Sequence, residues 1–235
     1  TDGGETWERI FFVDEKTGAA ELAMDPDNHD QLLVGMWSVH INTWGLRSGG
    51  PGGGVYRSLD GGKSWEALSE KGLPGGDKNP VGKTAVAISP SQPDIVYALF
   101  EIDSPALYRS EDFGETWTLQ TRNHDIAERA PYYTRMAVSP GDPDEVYFAS
   151  VKFSTSKDGG RTFESGYKAG GDNHDIWLNP NNPDILIQAN DGGANISFNG
   201  GESWSTQANQ PTVQFYRVNT DNRFEYRIYG GQQDN

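Results

Sequence analysis

Short apolar stretches alternate with turn-forming residues along the whole chain. In four places an apolar stretch, a proline-containing turn and a second apolar stretch follow one another, at residues 24–35, 88–98, 138–149 and 178–189. Proline presets the backbone of a tight turn, and neighbouring Asp and Asn side chains can hydrogen-bond to the turn backbone. Short apolar runs with such boundaries are typical of β-strands. Each copy therefore predicts two strands joined by a turn.

A second pattern, which we call the octet, combines Ser, an acidic or amide residue, two glycines, a hydroxyl residue and an aromatic ring. Its five copies lie at residues 2–7, 58–65, 110–117, 156–163 and 197–204, and the first lacks the two leading residues. The key positions are Asp2, Asp60, Asp112, Asp158 and Asn199, which are 58, 52, 46 and 41 residues apart. This spacing is close to the length of one four-stranded β-propeller blade.

The residue types of the octet predict a structural turn. Glycine adopts positive φ without steric cost, and the carboxylate and hydroxyl groups can bind backbone N–H groups across the turn. The ring that ends each octet is expected to start the next strand and to pack into the core. Phe113 replaces the first glycine of the third copy, and Asn199 replaces the aspartate of the fifth, where we expect the turn to survive. The octet carboxylates are therefore interpreted as structural.

Composition agrees with many short strands and limits the partners. The chain has 29 glycines and 13 prolines, which suit tight turns and oppose long helices. Its net charge of −15 argues against binding to nucleic acid or to anionic membrane surfaces, although it permits calcium or cationic partners. No apolar run predicts membrane insertion. Because there is no cysteine, disulfides, zinc–thiolate sites and thiol catalysis are excluded. No metal site or cofactor is predicted.

Octets at this spacing resemble those of the Asp-box (BNR) repeat β-propeller proteins, which include sialidases, inverting xyloglucanases and the sortilin ectodomain. Together with the proline turns they are most similar to the sortilin and xyloglucanase branch. The segments at 170–177, 190–193 and 229–235 resemble large bacterial exported proteins described as glycosyl-hydrolase-like or sortilin-like. The resemblance implies an all-β propeller of four-stranded antiparallel blades in an extracellular, periplasmic or cell-surface location of a bacterium. It does not imply one chemistry, because function resides in the site.

The chain starts and stops within repeat motifs, so we expect a single propeller fragment over residues 1–235. About five blades would be present, and the remaining blades of the same longer chain would be partners. Sialidase chemistry requires three converging arginines and a nucleophilic tyrosine, which we do not locate. Arginines that border the octets, including Arg57 and Arg109, are expected at the surface.

Three polar segments are candidates for a ligand site. In the first, Asp172, His174 and Asp175 could bind a metal or shuttle a proton, and an extended backbone would place Asp172 and His174 on one face and Asp175 on the other. The second contains Asp191 beside two glycines. The third contains Gln232, Gln233 and Asp234, whose amides and carboxylate suit sugar hydroxyls. The alternative interpretations are a polar loop whose His caps a strand end for the first, a turn for the second, and a hydrogen-bonded plug in the channel for the third. Successive blades are expected to place the three segments near one another.

A stretch that is longer than its counterparts separates Pro26 from Asp60 and contains Trp37 and Trp44. On a long loop these rings could stack on sugars, or they could pack the loop onto the propeller. A second long loop, from His124 to Tyr133, carries two adjacent tyrosines.

Three functions remain open at this point. The first is an exported ligand-binding or scaffolding module that recognises carbohydrate or protein. The second is an inverting glycoside hydrolase resembling xyloglucanases, which would need two carboxyl groups about 6.5–9.5 Å apart. The catalytic candidates would then be Asp172, Asp175, Asp191 and Asp234. The third is sortilin-like peptide binding, which requires a wide channel with an apolar wall.

Overall fold

The computed structural model describes residues 2–168, 170–208 and 215–232 and shows an all-β chain. It divides into two compact units, Thr1–Ser205 and Thr206–Asn235. The first unit contains four antiparallel blades in a propeller arrangement. Within the described ranges, no helix has the length and apolar character needed to cross a bilayer.

Blade 1 contains five strands: β1 (Thr17–Met24), β2 (Leu32–Asn42), β3 (Gly45–Ser48), β4 (Gly54–Ser58) and β5 (Glu66–Ala67). The sheet order is β1-β2-β4-β5, and β3 pairs with the far half of β2. A 3₁₀ turn at Leu68–Lys71 follows β5.

Blades 2 and 3 each contain four strands in chain order. Blade 2 is formed by β6 (Thr84–Ile88), β7 (Val96–Phe100), β8 (Ala106–Ser110) and β9 (Thr118–Thr121). A 3₁₀ turn at His124–Ile126 leads into blade 3, which is formed by β10 (Arg135–Val138), β11 (Val146–Ala149), β12 (Phe153–Ser156) and β13 (Glu164–Gly166).

Blade 4 contains β14 (Asn173–Leu178), β15 (Leu186–Asn190) and β16 (Gly193–Ser197). The outer edge of β16 is bonded by Ser205, whose backbone N–H donates to the carbonyl of Ile196 over 2.9 Å. The unit Thr206–Asn235 has a two-stranded antiparallel sheet of β17 (Phe215–Thr220) and β18 (Ile228–Gln232). Five octets thus accompany four blades, because the first octet precedes blade 1.

The blades are held together by apolar side chains on the faces that neighbouring sheets turn towards each other. Between blades 1 and 2, Leu33 and Val55 pack against Val96 and Phe100. Between blades 2 and 3, the packed side chains are Tyr97, Leu99 and Leu107 of blade 2 and Met136, Val146 and Phe148 of blade 3. Strands buried on both faces read as continuous apolar runs, which explains the apolar stretches of the sequence.

The octets form turns between the third and fourth strands of the blades, held by side chains that bind the turn backbone. In the second octet, the Asp60 carboxylate accepts hydrogen bonds from the Ser64 backbone (2.9 Å) and hydroxyl (2.6 Å). The Ser58 hydroxyl donates to Asp60 (2.9 Å) and accepts the N–H of Gly62 (2.8 Å). Asp112, Asp158 and Asn199 accept the equivalent backbone bonds.

Rings that end the octets are partly buried in four cases and exposed in one. Trp65 stacks on Phe11, and Trp204 packs edge-on against Phe153. Trp117 and Phe163 pack against the cores of blades 2 and 3. Trp7 is 91% exposed, so the expectation that every ring packs into the core is wrong for this copy.

One face of blade 1 is exposed at positions that are buried in blade 2. By strand register, Leu22 and Met24 correspond to Val86 and Ile88. Their side chains are 62% and 50% exposed, whereas those of Val86 and Ile88 are 2% and 8% exposed because they pack against blade 1. Leu22 lies with Val34 and Met36 in an open cavity of about 860 Å³.

Arg57, which precedes the second octet, and Phe113, which lies within the third, take part in the contact between blades 1 and 2. Phe113 has a φ of 51° and a buried ring, so its strained backbone is offset by apolar burial. Its carbonyl oxygen accepts a 2.7 Å hydrogen bond from Arg57, which also pairs with Glu66 and Glu115. Arg57 is 3% exposed, so the expectation that it lies at the surface is wrong: the guanidinium bridges two blades.

Acid should weaken the octet turns. Hydrogen bonds from Ser64 lower the pKa of Asp60 to about 2, and at Asp158 the hydrogen bonds from Thr162 outweigh the effect of burial and hold the pKa at about 2. The stabilisation is present above the unfolded pKa of 3.8 and is lost as pH falls towards 2. The thermal midpoint should therefore fall less between pH 6 and pH 2.5 in the D60N/D158N variant than in the parent. In the Asn199→Asp variant it should fall more than in the parent. Parallel curves for all three proteins would contradict this.

Substitution of Phe113 should separate strain from burial. Phe113→Ala removes the buried ring and keeps the strained φ, so we expect a loss of about 3–5 kcal/mol in unfolding free energy. Phe113→Gly relieves the left-handed strain and should be about 1 kcal/mol more stable than the alanine variant. Urea unfolding monitored by tryptophan fluorescence measures both. Equal stability of the two variants would mean that the backbone at this position is unstrained.

Candidate functional site

The octets and the candidate ligand residues lie at opposite ends of the strands. Ser58 of the second octet pairs with Leu32 at one end of β2, whereas Trp37 pairs with Gly18 towards the other. The first strands of successive blades contact one another. The N-terminal ends of β1, β6, β10 and β14 therefore lie at the end that carries the candidate residues.

Trp37 and Trp44 are on a β-hairpin, so the prediction of a long loop is wrong. Strand β2 continues beyond the blade and pairs with β3, forming a two-stranded ladder from Val39 to Ser48. Trp44 is at the hairpin tip and is 93% exposed. Trp37 lies at the base, where its indole N–H donates to the Ser48 hydroxyl over 2.8 Å.

Two of the three predicted segments meet in blade 4. Asp172 precedes β14, and Asp191 follows β15, and the backbone N–H of Asp191 donates to the carbonyl of Asp172 over 3.2 Å. His174 Nε2 lies 2.7 Å from Asp191 Oδ1, and both side chains are 45% exposed. A β-bulge between Asn173 and Asp175 breaks the strict alternation expected from the sequence, and both His174 and Asp175 are exposed.

Blade 3 contributes Tyr133 to the same place. Its ring centre lies 5.0 Å from that of His174, and the side chain is buried beside Asp172. Burial and the neighbouring Asp172 carboxylate raise the pKa of Tyr133 well above its usual value. The phenol is therefore a hydrogen-bond donor at neutral pH. We call Tyr133, Asp172, His174 and Asp191 the rim site.

Backbone strain concentrates around the rim site. In the described chain, five residues other than glycine have positive φ, and three of them are Arg129 (48°), Thr134 (74°) and Asp172 (57°). Positive φ is unusual for a β-branched residue such as threonine. Residues in such conformations persist only where the surrounding structure holds them, and they cluster at binding sites.

A buried chain of amides supports the rim site from below. The Asn173 side chain donates to the carbonyls of Ser150 (3.0 Å) and Val151 (3.2 Å) and accepts a hydrogen bond from Gln188. Asn190 donates to Gln188 over 3.0 Å. In blade 3 the register equivalent of Gln188 is Phe148. Blade 4 thus replaces apolar contacts with hydrogen bonds, which fix the side chains that they join.

Asp175 occupies a position of the first strand that is charged in three of the four blades. By register, Glu21, Ala85, Arg135 and Asp175 occupy equivalent positions of the first strands. Arg135 pairs with Glu21 of blade 1, and the small Ala85 lies at the intervening position in blade 2. Burial raises the pKa of Glu21, Arg135 opposes this, and Asp175 adds to it. Sequence reasoning missed Glu21 and Arg135, and it noted Tyr133 on the second long loop without assigning it to the site. Comparing the starts of the first strands could have revealed all three.

The third polar segment falls in the unit Thr206–Asn235. Gln232 ends β18 of that unit, while Gln233 and Asp234 lie outside the described residues. The prediction that the third segment joins the other two therefore stays a prediction. Within residues 2–168, 170–208 and 215–232, no group of three or more His, Cys, Asp or Glu side chains could hold a metal ion.

Comparisons with known proteins bear on the fold. No protein-family model matches the chain, and no curated protein matches its sequence. The GH74 xyloglucanase from Xanthomonas campestris superposes with a TM-score of 0.58 at 16% identity, over 85% of this chain and 32% of that chain. YCF48 from Cyanidioschyzon merolae superposes with a TM-score of 0.54 at 12% identity, over 88% and 61%.

The chain spans less than two thirds of the length of either protein. At these identities the similarity concerns the fold alone, and both neighbours are β-propellers. The chain is thus a β-propeller module that is similar in fold to a GH74 xyloglucanase and to YCF48.

Proposed function

We propose that this chain is a ligand-binding module of an exported bacterial propeller and that its rim site binds carbohydrate. The observation that carries the proposal is the half-exposed His174–Asp191 pair, 2.7 Å apart, beside the buried Tyr133 ring. Carboxylates accept hydrogen bonds from sugar hydroxyls, and imidazole can donate or accept them. A site of fixed polar groups beside an aromatic ring is the usual form of a specific small-ligand site.

Exposed rings near the rim site support a sugar ligand. Tyr132 and Tyr167 are each 59% exposed. Tyr132 stands next to Tyr133 in the chain and carries the Arg129 guanidinium over its ring at 4.8 Å. Tyr167 lies against Gly171, where an added Cβ would be 3.2 Å from the ring. Amphipathic rings of this kind present an apolar face and a polar tip to a ligand.

Further blades of a longer chain are the proposed partners of blade 1. The exposure of Leu22 and Met24, at positions that are buried in blade 2, supports this because apolar faces of sheets are normally covered. A protein is the alternative ligand. The peptide-binding alternative is disfavoured, since Glu21, Arg135 and Asp175 line the first strands with charge rather than with an apolar wall.

An inverting glycoside hydrolase is the second candidate. It is favoured by one observation: Asp172 and Asp191 are neighbours at the rim site, where the backbone N–H of Asp191 donates to the carbonyl of Asp172 over 3.2 Å, so that two acids share one site. Inverting hydrolysis uses one carboxyl group as acid and another as base across the scissile bond. The xyloglucanase similarity concerns the fold and does not extend to these residues.

Loss of the imidazole should weaken glycan binding. A glycan array with purified protein should identify a bound oligosaccharide, and calorimetry should give its affinity. His174→Ala should lower that affinity about tenfold or more, because one hydrogen bond involving a charged partner is lost. His29→Ala, an exposed histidine in the turn before β2, is the matched control and should bind normally. An empty array, or equal losses in both variants, would contradict the carbohydrate proposal.

Hydrolysis can be tested on the same glycans. If the second candidate is correct, the parent should release reducing ends, and Asp172→Asn and Asp191→Asn should each lower kcat by a factor of about 100 or more, the usual effect of removing a general acid or base. Asp158→Asn in the fourth octet is the control. Binding without release of reducing ends would reject the hydrolase and leave the binding module.

A further inference from the structure

Lys83 connects three blades at the end that carries the rim site. It precedes β6 of blade 2, and its ammonium group donates a hydrogen bond to the backbone carbonyl of Tyr133 in blade 3. The same ammonium lies 5.4 Å from the centre of the Trp37 ring at the hairpin base of blade 1. A cation at this distance from an indole face is attracted by the ring. Lys83 is therefore attracted by Trp37 of blade 1 and donates a hydrogen bond to Tyr133 of blade 3.

The carbonyl that Lys83 binds belongs to a strained segment. Tyr133 is followed by Thr134, whose φ is 74°, and the turn that begins it contains Arg129, whose φ is 48°. Within this segment the Thr134 hydroxyl donates to the carbonyl of Ala130 over 2.9 Å. Strained backbone requires contacts that keep it in place. Lys83 supplies such a contact from a neighbouring blade.

The charge of Lys83 is kept in a partly buried place. Burial lowers its pKa below the usual range, and Arg135 acts in the same direction, whereas Glu21 and Glu101 oppose them. A partly buried ammonium group stays charged only where partners offset the cost of removing it from water. The Tyr133 carbonyl is one such partner, so this contact accounts for a lysine at position 83.

We propose that Lys83 is a positioning residue of the rim site, because its ammonium group fixes the Tyr133 backbone and thereby the ring that lies beside His174. The effect of Lys83 on ligand affinity rests on the proposed function. Its effect on the placement of Tyr133 is independent of any ligand.

Two variants and one control separate positioning from a merely structural role. Lys83→Met removes the charge and keeps the length of the side chain, and Lys83→Arg keeps a charge. The control, Lys157→Met, changes an exposed lysine in the fourth octet. For a glycan identified on the array, K83M should bind about tenfold more weakly by calorimetry. K83R should recover most of that affinity. The thermal midpoint of K83M should fall modestly, because the Tyr133 carbonyl loses this donor, and K83R should restore it. A merely structural role for this side chain would leave both the midpoint and the affinity low in K83R as well.

A measurement without ligand distinguishes the two proposals. The His174 imidazole proton signals should shift in K83M, because the Tyr133 ring that faces the imidazole moves, and they should stay unchanged in K157M. If the parent binds no glycan but the signals shift as expected, the carbohydrate proposal fails and the role of Lys83 stands. Unchanged His174 signals in K83M, or a K83M midpoint that falls together with affinity and is not restored in K83R, would overturn the role of Lys83.

Discussion

Burial of the sheet faces between neighbouring blades is the constraint on which the rest of this structure depends. Tyr97 of β7 faces blade 3, while Val96 and Phe100 of the same strand face blade 1. Because alternate side chains of a strand point to opposite faces, a shift of one residue would exchange the two interfaces. Packing on both sides therefore fixes the register of each blade and the position of each first strand around the axis.

The rim site follows from that placement. The first strands start side by side, so residues just before them, such as Lys83, Tyr133 and Asp172, come together although they are distant in the chain. The surrounding blades also allow strain to persist at Thr134 and Asp172, because the backbone there is held by contacts from outside the turn. The polar residues of the rim site thus lie at the strand ends, where the apolar interfaces between blades end.

Opposite the rim, the octets act locally and interblade contacts add to them. Each octet satisfies its own turn through bonds such as those of Asp60 to Ser64. Arg57 and Phe113 also join two blades. Arg57 of blade 1 donates a hydrogen bond to the third octet, and the Phe113 ring packs in the core shared by blades 1 and 2. The replacement of glycine by Phe113, a local defect in sequence terms, is compensated in the interface.

The sequence by itself determined the repeats, the octet turns and the all-β propeller class, because the interactions that define them span only a few residues. It also singled out Asp172, His174 and Asp191, whose polar segments interrupt the apolar pattern. Only the tertiary structure decided that Trp37 and Trp44 lie on a hairpin, that Arg57 is buried and that Tyr133 and Lys83 belong with the rim. The hairpin depends on local pairing of β2 with β3, whereas the other facts depend on which strand ends meet across blades, and that is settled by packing between sheets rather than by local pattern.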